Sequence, residues 1–248
     1  MTWPALSTIK FAMGMIYMVR HGQASFGEAN YDRLSDLGVR QARILGEYLA
    51  DTGLRPDELY SWKLKRQTGT ADEVIRCYRE RGLTIPDYTF SYALNEYDSA
   101  GVLMSQVPDI LEEDPSFKED LDRIYTDKRS FQKVFEMSVI RWLSGRYDKP
   151  DVESWTDFSS RVCDGIEDII SNEGRGKNIV LFTSGGPIAA LLHKTLALTG
   201  ENAIRLSWQI VNASVTRFMY NSNNITLAGF NMISHLELQG DKSLITYR

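Results

Sequence analysis

Met15-Ile16-Tyr17-Met18-Val19-Arg20-His21-Gly22-Gln23 is the stretch on which the fold turns. Met15 to Val19 is short, apolar and rich in strand formers, the pattern of a strand buried at the centre of a sheet. It breaks at once into Arg20-His21-Gly22. Open α/β sheets place ligand-binding loops at this position, just past a strand's carboxyl end. The wider apolar run Phe11–Val19 follows Lys10 and superficially resembles a signal-peptide core. It ends without a small-residue cleavage pattern and is too short to span a bilayer, so a buried strand is the better reading. Residues 1–13 have no clear period and read as an extension.

Outward from this strand, Ser35 is a fitting N-cap for a helix that runs to about Asp51. Val39, Ala42, Leu45 and Leu49 fall on helical spacing, and Gly53 stops it. Glu58–Trp62 reads as a strand, Thr70 to about Glu80 as a helix, and Thr89–Leu94 as a third strand. Ile179–Phe182 is a fourth, and a helix from Pro187 to about Leu198 follows, with Gly200 just past its end. Ala213–Tyr220 and Ile225–Phe230 read as two strands joined by the turn Asn221-Ser222-Asn223-Asn224. Strands alternating with helices predict an α/β domain with a mostly parallel sheet. The stretch from about 97 to 150 is charged, aromatic and helical, punctuated by Pro108, Pro115 and Pro150. It reads as an insertion between core strands, within a single domain spanning 1–248.

Composition removes several classes of function. The 248 residues carry 28 Lys+Arg against 33 Asp+Glu, a net charge of −5. A pI near 5.3 argues against a general nucleic-acid binder. Cys77 and Cys163 are far apart and form no CxxC pair, so neither a zinc ribbon nor a disulfide scaffold is supported. Three histidines leave little material for a histidine-rich metal site. No stretch has the length of a transmembrane helix, and a soluble cytoplasmic setting is expected.

The chemistry lies at four strand ends. Arg20-His21-Gly22 follows the first, and Leu64-Lys65-Arg66 follows the second. Leu94-Asn95-Glu96 follows the third, and Thr183-Ser184-Gly185-Gly186-Pro187 the fourth. Arg20 and Arg66 can make bidentate, charge-assisted bonds to phosphate oxygens. The amides after Ser184 begin a helix and point its N-terminus at an anion. Two nearby cations disfavour protonation of His21, leaving a neutral imidazole able to attack phosphorus. Glu96 can protonate the leaving oxygen and then activate water. The expected partner is a small phosphorylated substrate or inorganic phosphate, with no role for nucleic acid or membrane.

The sequence resembles the histidine phosphatase (phosphoglycerate mutase-like) superfamily. The residues that carry the likeness are Arg20-His21-Gly22-Gln23, Leu34-Ser35 with Gly38 and Gln41-Ala42, Leu64 and Arg66 with Thr70-Ala71, Leu94-Asn95-Glu96, Glu153-Ser154-Trp155, and Ser184-Gly185-Gly186. The resemblance implies a three-layer α/β/α sandwich with no metal and no organic cofactor. It further implies His21 as the phosphorylated nucleophile, Arg20 and Arg66 as the phosphate clamp, and Glu96 as the proton donor. Ser184 and Gly185 would complete the phosphate site.

One position departs from the family pattern. Its second catalytic histidine precedes the Gly-Gly, where this chain has Ser184. Loss of one preorganised donor costs ~10²–10³ in rate by analogy with oxyanion holes. Three uses of the position stay open: Ser184 holds the phosphoryl group with a water or the local amides, another histidine enters from elsewhere, or the protein binds without turnover. His193 lies about 10 Å along the following helix and reads as structural. His235 follows the last strand and is a candidate for the pocket, as is Gln23. A serine-hydrolase elbow would need glycine at 182, which is Phe182. Trp155, Phe158, Val162, Ile166 and Ile169 follow helical spacing and read as core. Arg123, Tyr125 and Arg129 of the insertion are candidates for a substrate entrance. The leading expectation is a phosphomonoester hydrolase working through phospho-His21. The alternatives are a catalytically weak phospholigand-binding or interaction protein, and a phosphoglycerate mutase-type phosphotransferase.

Overall fold

Side-chain alternation along two neighbouring strands sets the layers. The computed structural model describes residues 13–25, 32–124 and 126–247. Strands β1 (Gly14–Arg20) and β4 (Asn178–Thr183) pair in parallel, with Ile16 opposite Ile179 and Arg20 opposite Thr183. Ile16, Met18, Ile179 and Leu181 enter one apolar cluster, while Val19, Val180 and Phe182 enter another. Period-two alternation of apolar residues on both faces demands a helical layer on each side.

One layer is α1 (Asp36–Asp51) and α2 (Lys65–Glu80), which bring Leu45, Leu49, Val74, Ile75 and Tyr78 against the Val19–Phe182 face. The other contains α6 (Trp155–Glu173) and α7 (Gly185–Leu196), whose Phe158, Val162, Ile166, Ile188 and Leu191 cover the Ile16–Leu181 face. Strands β2 (Glu58–Ser61), β3 (Tyr88–Phe90), β5 (Val215–Tyr220) and β6 (Ile225–Met232) complete the sheet, in the order β3-β2-β4-β1-β5-β6. The first four run parallel; β5 is antiparallel to β1, and β6 to β5. This is the expected α/β/α sandwich with a mostly parallel sheet.

Between β3 and β4 lie α3 (Ser99–Glu113), α4 (Lys118–Asp122) and α5 (Lys128–Leu143). Ile110, Phe117, Ile124 and Val134 form their own small cluster, while Val102, Val139 and Trp142 join the main core. The helix α8 (Gly200–Ser207) and a single turn, α9 (Ser234–Glu237), flank the two antiparallel strands in sequence.

Several boundaries differ from the sequence reading. Helix α2 begins at Lys65, five residues before Thr70, because its first amide donates to Asp32 Oδ2 at 2.9 Å. That cap comes from a remote segment, since Leu64 makes no side-chain cap. The third strand stops at Phe90, and Tyr92–Leu94 coil into a 3₁₀ turn that buries Ala93 and Leu94. Gly200 does not end α7. The chain turns instead at Ala197, in the left-handed region at φ 50°, and Gly200 opens α8. The expected extension over residues 1–13 lies, apart from Met13, outside the described residues.

Candidate active site

His21 is placed by the β1–β4 pair. Its amide donates to the Thr183 carbonyl at 2.9 Å, which sets the loop after β1 beside the loop after β4. Its own carbonyl accepts from Asn212 Nδ2 at 3.1 Å and from the Ala213 amide at 3.2 Å. His21 as a whole is 6% exposed. Nδ1 lies 2.7 Å from the Gly22 carbonyl, and Nε2 accepts from Arg66 Nε at 3.2 Å. A carbonyl only accepts and a guanidinium only donates, so the proton sits on Nδ1 and the lone pair on Nε2. Burial, then Arg66, then Arg20 hold the pKa well below its ordinary value. The ring is therefore neutral at pH 7.

The two arginines are fixed by different means. Arg20 donates to the Ile210 carbonyl and, at 2.8 Å, to that of Tyr247. Arg66 is held by Asp32, with Nη1 to Oδ1 at 2.6 Å. Asp32 thus caps α2 and orients the arginine in its first turn. Thr70 Oγ1 ties the same turn to the loop after β1: it accepts from the Gly22 amide at 3.0 Å and donates to the Arg66 carbonyl at 2.7 Å.

Glu96 faces the same space from the 3₁₀ turn after β3. Its Oε1 accepts from the Tyr97 amide and its Oε2 from the Gly186 amide, both at 3.1 Å. Burial raises its pKa, and these bonds together with Arg66 and Arg20 oppose the rise. Gly186 is required by space, since a Cβ there would stand 1.9 Å from Glu96 Oε1.

Arg20, His21, Arg66, Glu96, Gly185 and Gly186 all line one cavity of about 400 Å³. Its outer wall is aromatic, from Tyr97, Phe131, Phe135, Trp208 and Tyr247. Three of the sequence candidates take other places. Ser184 is 2% exposed and does not line the cavity; its Oγ accepts from buried Gln67 Nε2 at 2.9 Å. Gln23 turns its Oε1 onto Ser35 Oγ at 2.9 Å, and its amide donates to Gln41 Oε1 at 2.8 Å. It braces the loop from behind.

His235 is not in this cavity. It borders a separate one of about 440 Å³, with its ring 5.7 Å from that of Tyr48. The turn of α9 carries it there, and burial pushes its pKa down to about 4. It hydrogen-bonds the backbone of Ala213, whose amide supports His21, so it stands behind the site. His193 is structural as expected: Nδ1 lies 2.6 Å from the Leu198 carbonyl beyond α7, and the ring packs edge-on to Trp155. Arg123 pairs with Glu119 at the surface, and Arg129 is exposed. Neither borders the cavity, where α5 presents Phe131, Gln132 and Phe135 instead. Tyr125 lies outside the described residues. Sequence reasoning missed Asp32, Asn212 and Trp208. Of these, only the position of Asp32, shortly before Ser35, gave a local hint.

A neutral imidazole, two anchored arginines and a buried carboxyl thus share one cavity at the carboxyl edge of a parallel sheet, where open α/β sheets bind their ligands. Residues 16–120 and 97–233 match the histidine phosphatase superfamily (branch 1), and the chain belongs to that family. It is similar to a 2,3-bisphosphoglycerate-dependent phosphoglycerate mutase of Chelativorans, 24% identical over 78% of this chain and 86% of the relative. A mutant phosphoserine phosphatase of Entamoeba histolytica in complex with phosphoserine superposes with TM-score 0.63 at 16% identity, over 90% of this chain and 99% of that one. A mycobacterial glucosyl-3-phosphoglycerate phosphatase with inorganic phosphate gives TM-score 0.58 at 23% identity, over 89% and 98%. Among the described residues no helix is long and apolar enough to cross a membrane.

Proposed function

We propose that the protein hydrolyses small phosphate monoesters through a phosphorylated His21. The observation that carries this reading is the state of the imidazole, neutral at pH 7 with its lone pair on the Nε2 that meets Arg66. In the first step Nε2 attacks phosphorus, and the ester P–O bond breaks toward the alcohol oxygen, which takes the proton of the Glu96 carboxyl. In the second, the Glu96 carboxylate takes a proton from water. The water oxygen attacks phosphorus, the P–N bond breaks back to His21, and inorganic phosphate leaves. Arg20 and Arg66 hold the equatorial oxygens in both steps, where preorganised charge contributes most.

The raised pKa of Glu96 supports its role as acid, because a larger protonated fraction is present near neutrality. The Gly185 amide opens α7 toward the same anion, while Ser184 acts from beneath it through Gln67. Hydrolysis is favoured over mutase transfer by the lining, whose cations among the described residues are Arg20 and Arg66. The second reading is a phospholigand-binding protein with weak turnover, and the serine at position 184 favours it. A cytoplasmic setting belongs to the same proposal and rests on the unpaired, buried thiols of Cys77 and Cys163.

Turnover of p-nitrophenyl phosphate by the wild type and by His21→Ala tests the reading. A loss of about 10³-fold or more is expected on removing the nucleophile. Equal rates sink the phosphohistidine route. Phosphate binding without turnover of any monoester selects the binding protein.

A further inference from the structure

Resting on the phosphoryl site proposed above, we infer that the substrate's alcohol portion is uncharged and apolar, a single aromatic ring or a short to medium aliphatic chain, and that the insertion helix α5 selects it. The charges of the cavity come first. Arg20 and Arg66 both lie close enough to His21 to depress its pKa, so both belong to the phosphoryl end. Glu96 lines the same space, and Asp32 already neutralises one face of Arg66. A bound phosphate dianion uses the positive charge that remains. A substrate with a carboxylate or a second phosphate would bring a further anion into a partly buried space beside Glu96. Among the described lining residues no lysine or third arginine meets it. An unpaired buried charge of that kind is strongly disfavoured.

The walls say what does fit. Phe131 and Phe135 lie one helical turn apart on α5 with rings stacked at 5.7 Å and 8°. Phe135 continues to the ring of Trp208, 6.5 Å away, just past α8. Tyr97 lines the same cavity from the segment before α3, with its ring stacked at 4.9 Å on Trp142 of α5. These rings give the cavity a largely aromatic wall that shares its lining with the arginine pair and is interrupted by Ser99, Gln132 and Ser207. Among the described lining residues Trp208 carries an indole Nε1 that is buried without a hydrogen-bond partner. That donor suits an ether, ester or hydroxyl oxygen along the alcohol chain. It can recognise an acceptor but cannot neutralise an ion. A cavity of about 400 Å³ holds a phosphate and a group of one ring or six to eight carbons.

The test uses non-hydrolysable phosphonates on the full-length wild-type protein, so the answer does not depend on turnover. Calorimetry compares 2-phenylethylphosphonate with 3-phosphonopropionate, which carries a carboxylate in place of the ring. The phenyl ligand is expected to bind at least about tenfold tighter. Phe135→Ala should reduce that preference by about tenfold, and Trp208→Phe should leave most of it, because the ring stays. Equal or tighter binding of the carboxylate ligand overturns the inference. So does a Phe135→Ala protein that weakens both ligands alike, or binding of inorganic phosphate with neither phosphonate. The comparison of wild type with His21→Ala on p-nitrophenyl phosphate decides the chemistry separately. A normal His21 dependence with the wrong phosphonate ranking refutes the specificity alone. Correct ranking with no His21 dependence refutes the mechanism alone.

Discussion

Gly186→Ala separates catalysis from folding. A Cβ at this position meets Glu96 Oε1 at 1.9 Å and Tyr97 Cδ1 at 2.8 Å. The carboxyl oxygen must retreat by about 1.5 Å to reach ordinary contact at 3.4 Å. In moving, Glu96 loses the 3.1 Å bond from the Gly186 amide. The carboxyl is the tip of a flexible side chain, but the Tyr97 ring, packed on Trp142 and Phe158, must also give. The cost in stability is about 1–3 kcal/mol, partly offset because alanine is a better helix former than glycine. The cost in rate is large, because misplacing a reacting group by about 1 Å is worth roughly 10²-fold. The assay is kcat for an alkyl monoester such as 2-phenylethyl phosphate, whose alcohol needs the proton, alongside thermal unfolding. The expected result is kcat down about 10²-fold with the protein still folded and Tm lowered by a few degrees. Full activity at an unchanged Tm would refute the placement of Glu96 as acid.

Three further outcomes follow from the surroundings of His21. His235 has a pKa of about 4 when folded, below its ordinary 6.5, so the unfolded chain binds the proton more readily and stability falls as pH drops from 6.5 toward 4. At pH 5 the loss is about 2 kcal/mol; urea unfolding at pH 7 and 5 should show a correspondingly smaller difference for His235→Leu, and an equal difference contradicts the burial argument. Asp32→Asn keeps an acceptor for the Lys65 amide but loses the charge that orients Arg66, so kcat should fall about tenfold with Tm held. Asp32→Ala should also lose about 1 kcal/mol of stability, read by denaturant titration, through the missing cap. Ser184→His places a larger ring in a buried position bonded to Gln67. Destabilisation of about 1–3 kcal/mol without a gain in kcat is expected, and a clear rise in kcat would mean that serine merely weakens the site.

Much of the site was legible because its signals are local. The end of β1, the Ser35 cap and the glycines after β4 each declare themselves within a few residues. Ser35 does accept from the Gly38 amide, at 3.0 Å. Glu96 was legible for the same reason, although the strand before it ends early and coils. What escaped notice depends on residues brought together from far apart. Asp32 reaches across to Lys65 and Arg66, and its effect moves the start of α2. Asn212 and the Tyr247 carbonyl hold His21 and Arg20 from the far end of the sequence. The aromatic wall joins α5 to Trp208, and no periodicity within either segment signals the pairing. His235 was misplaced because one turn of helix redirects a side chain that an extended continuation of β6 would have sent elsewhere.

The most direct measurement follows the phosphoryl group itself. The wild-type protein is mixed with excess alkyl phosphate, quenched in alkali, where phosphohistidine persists, and digested for mass spectrometry. The account predicts a phosphoryl adduct on the peptide containing His21, formed during turnover and missing from His21→Ala. Turnover with no adduct on that peptide, at a rate that His21→Ala matches, would contradict it.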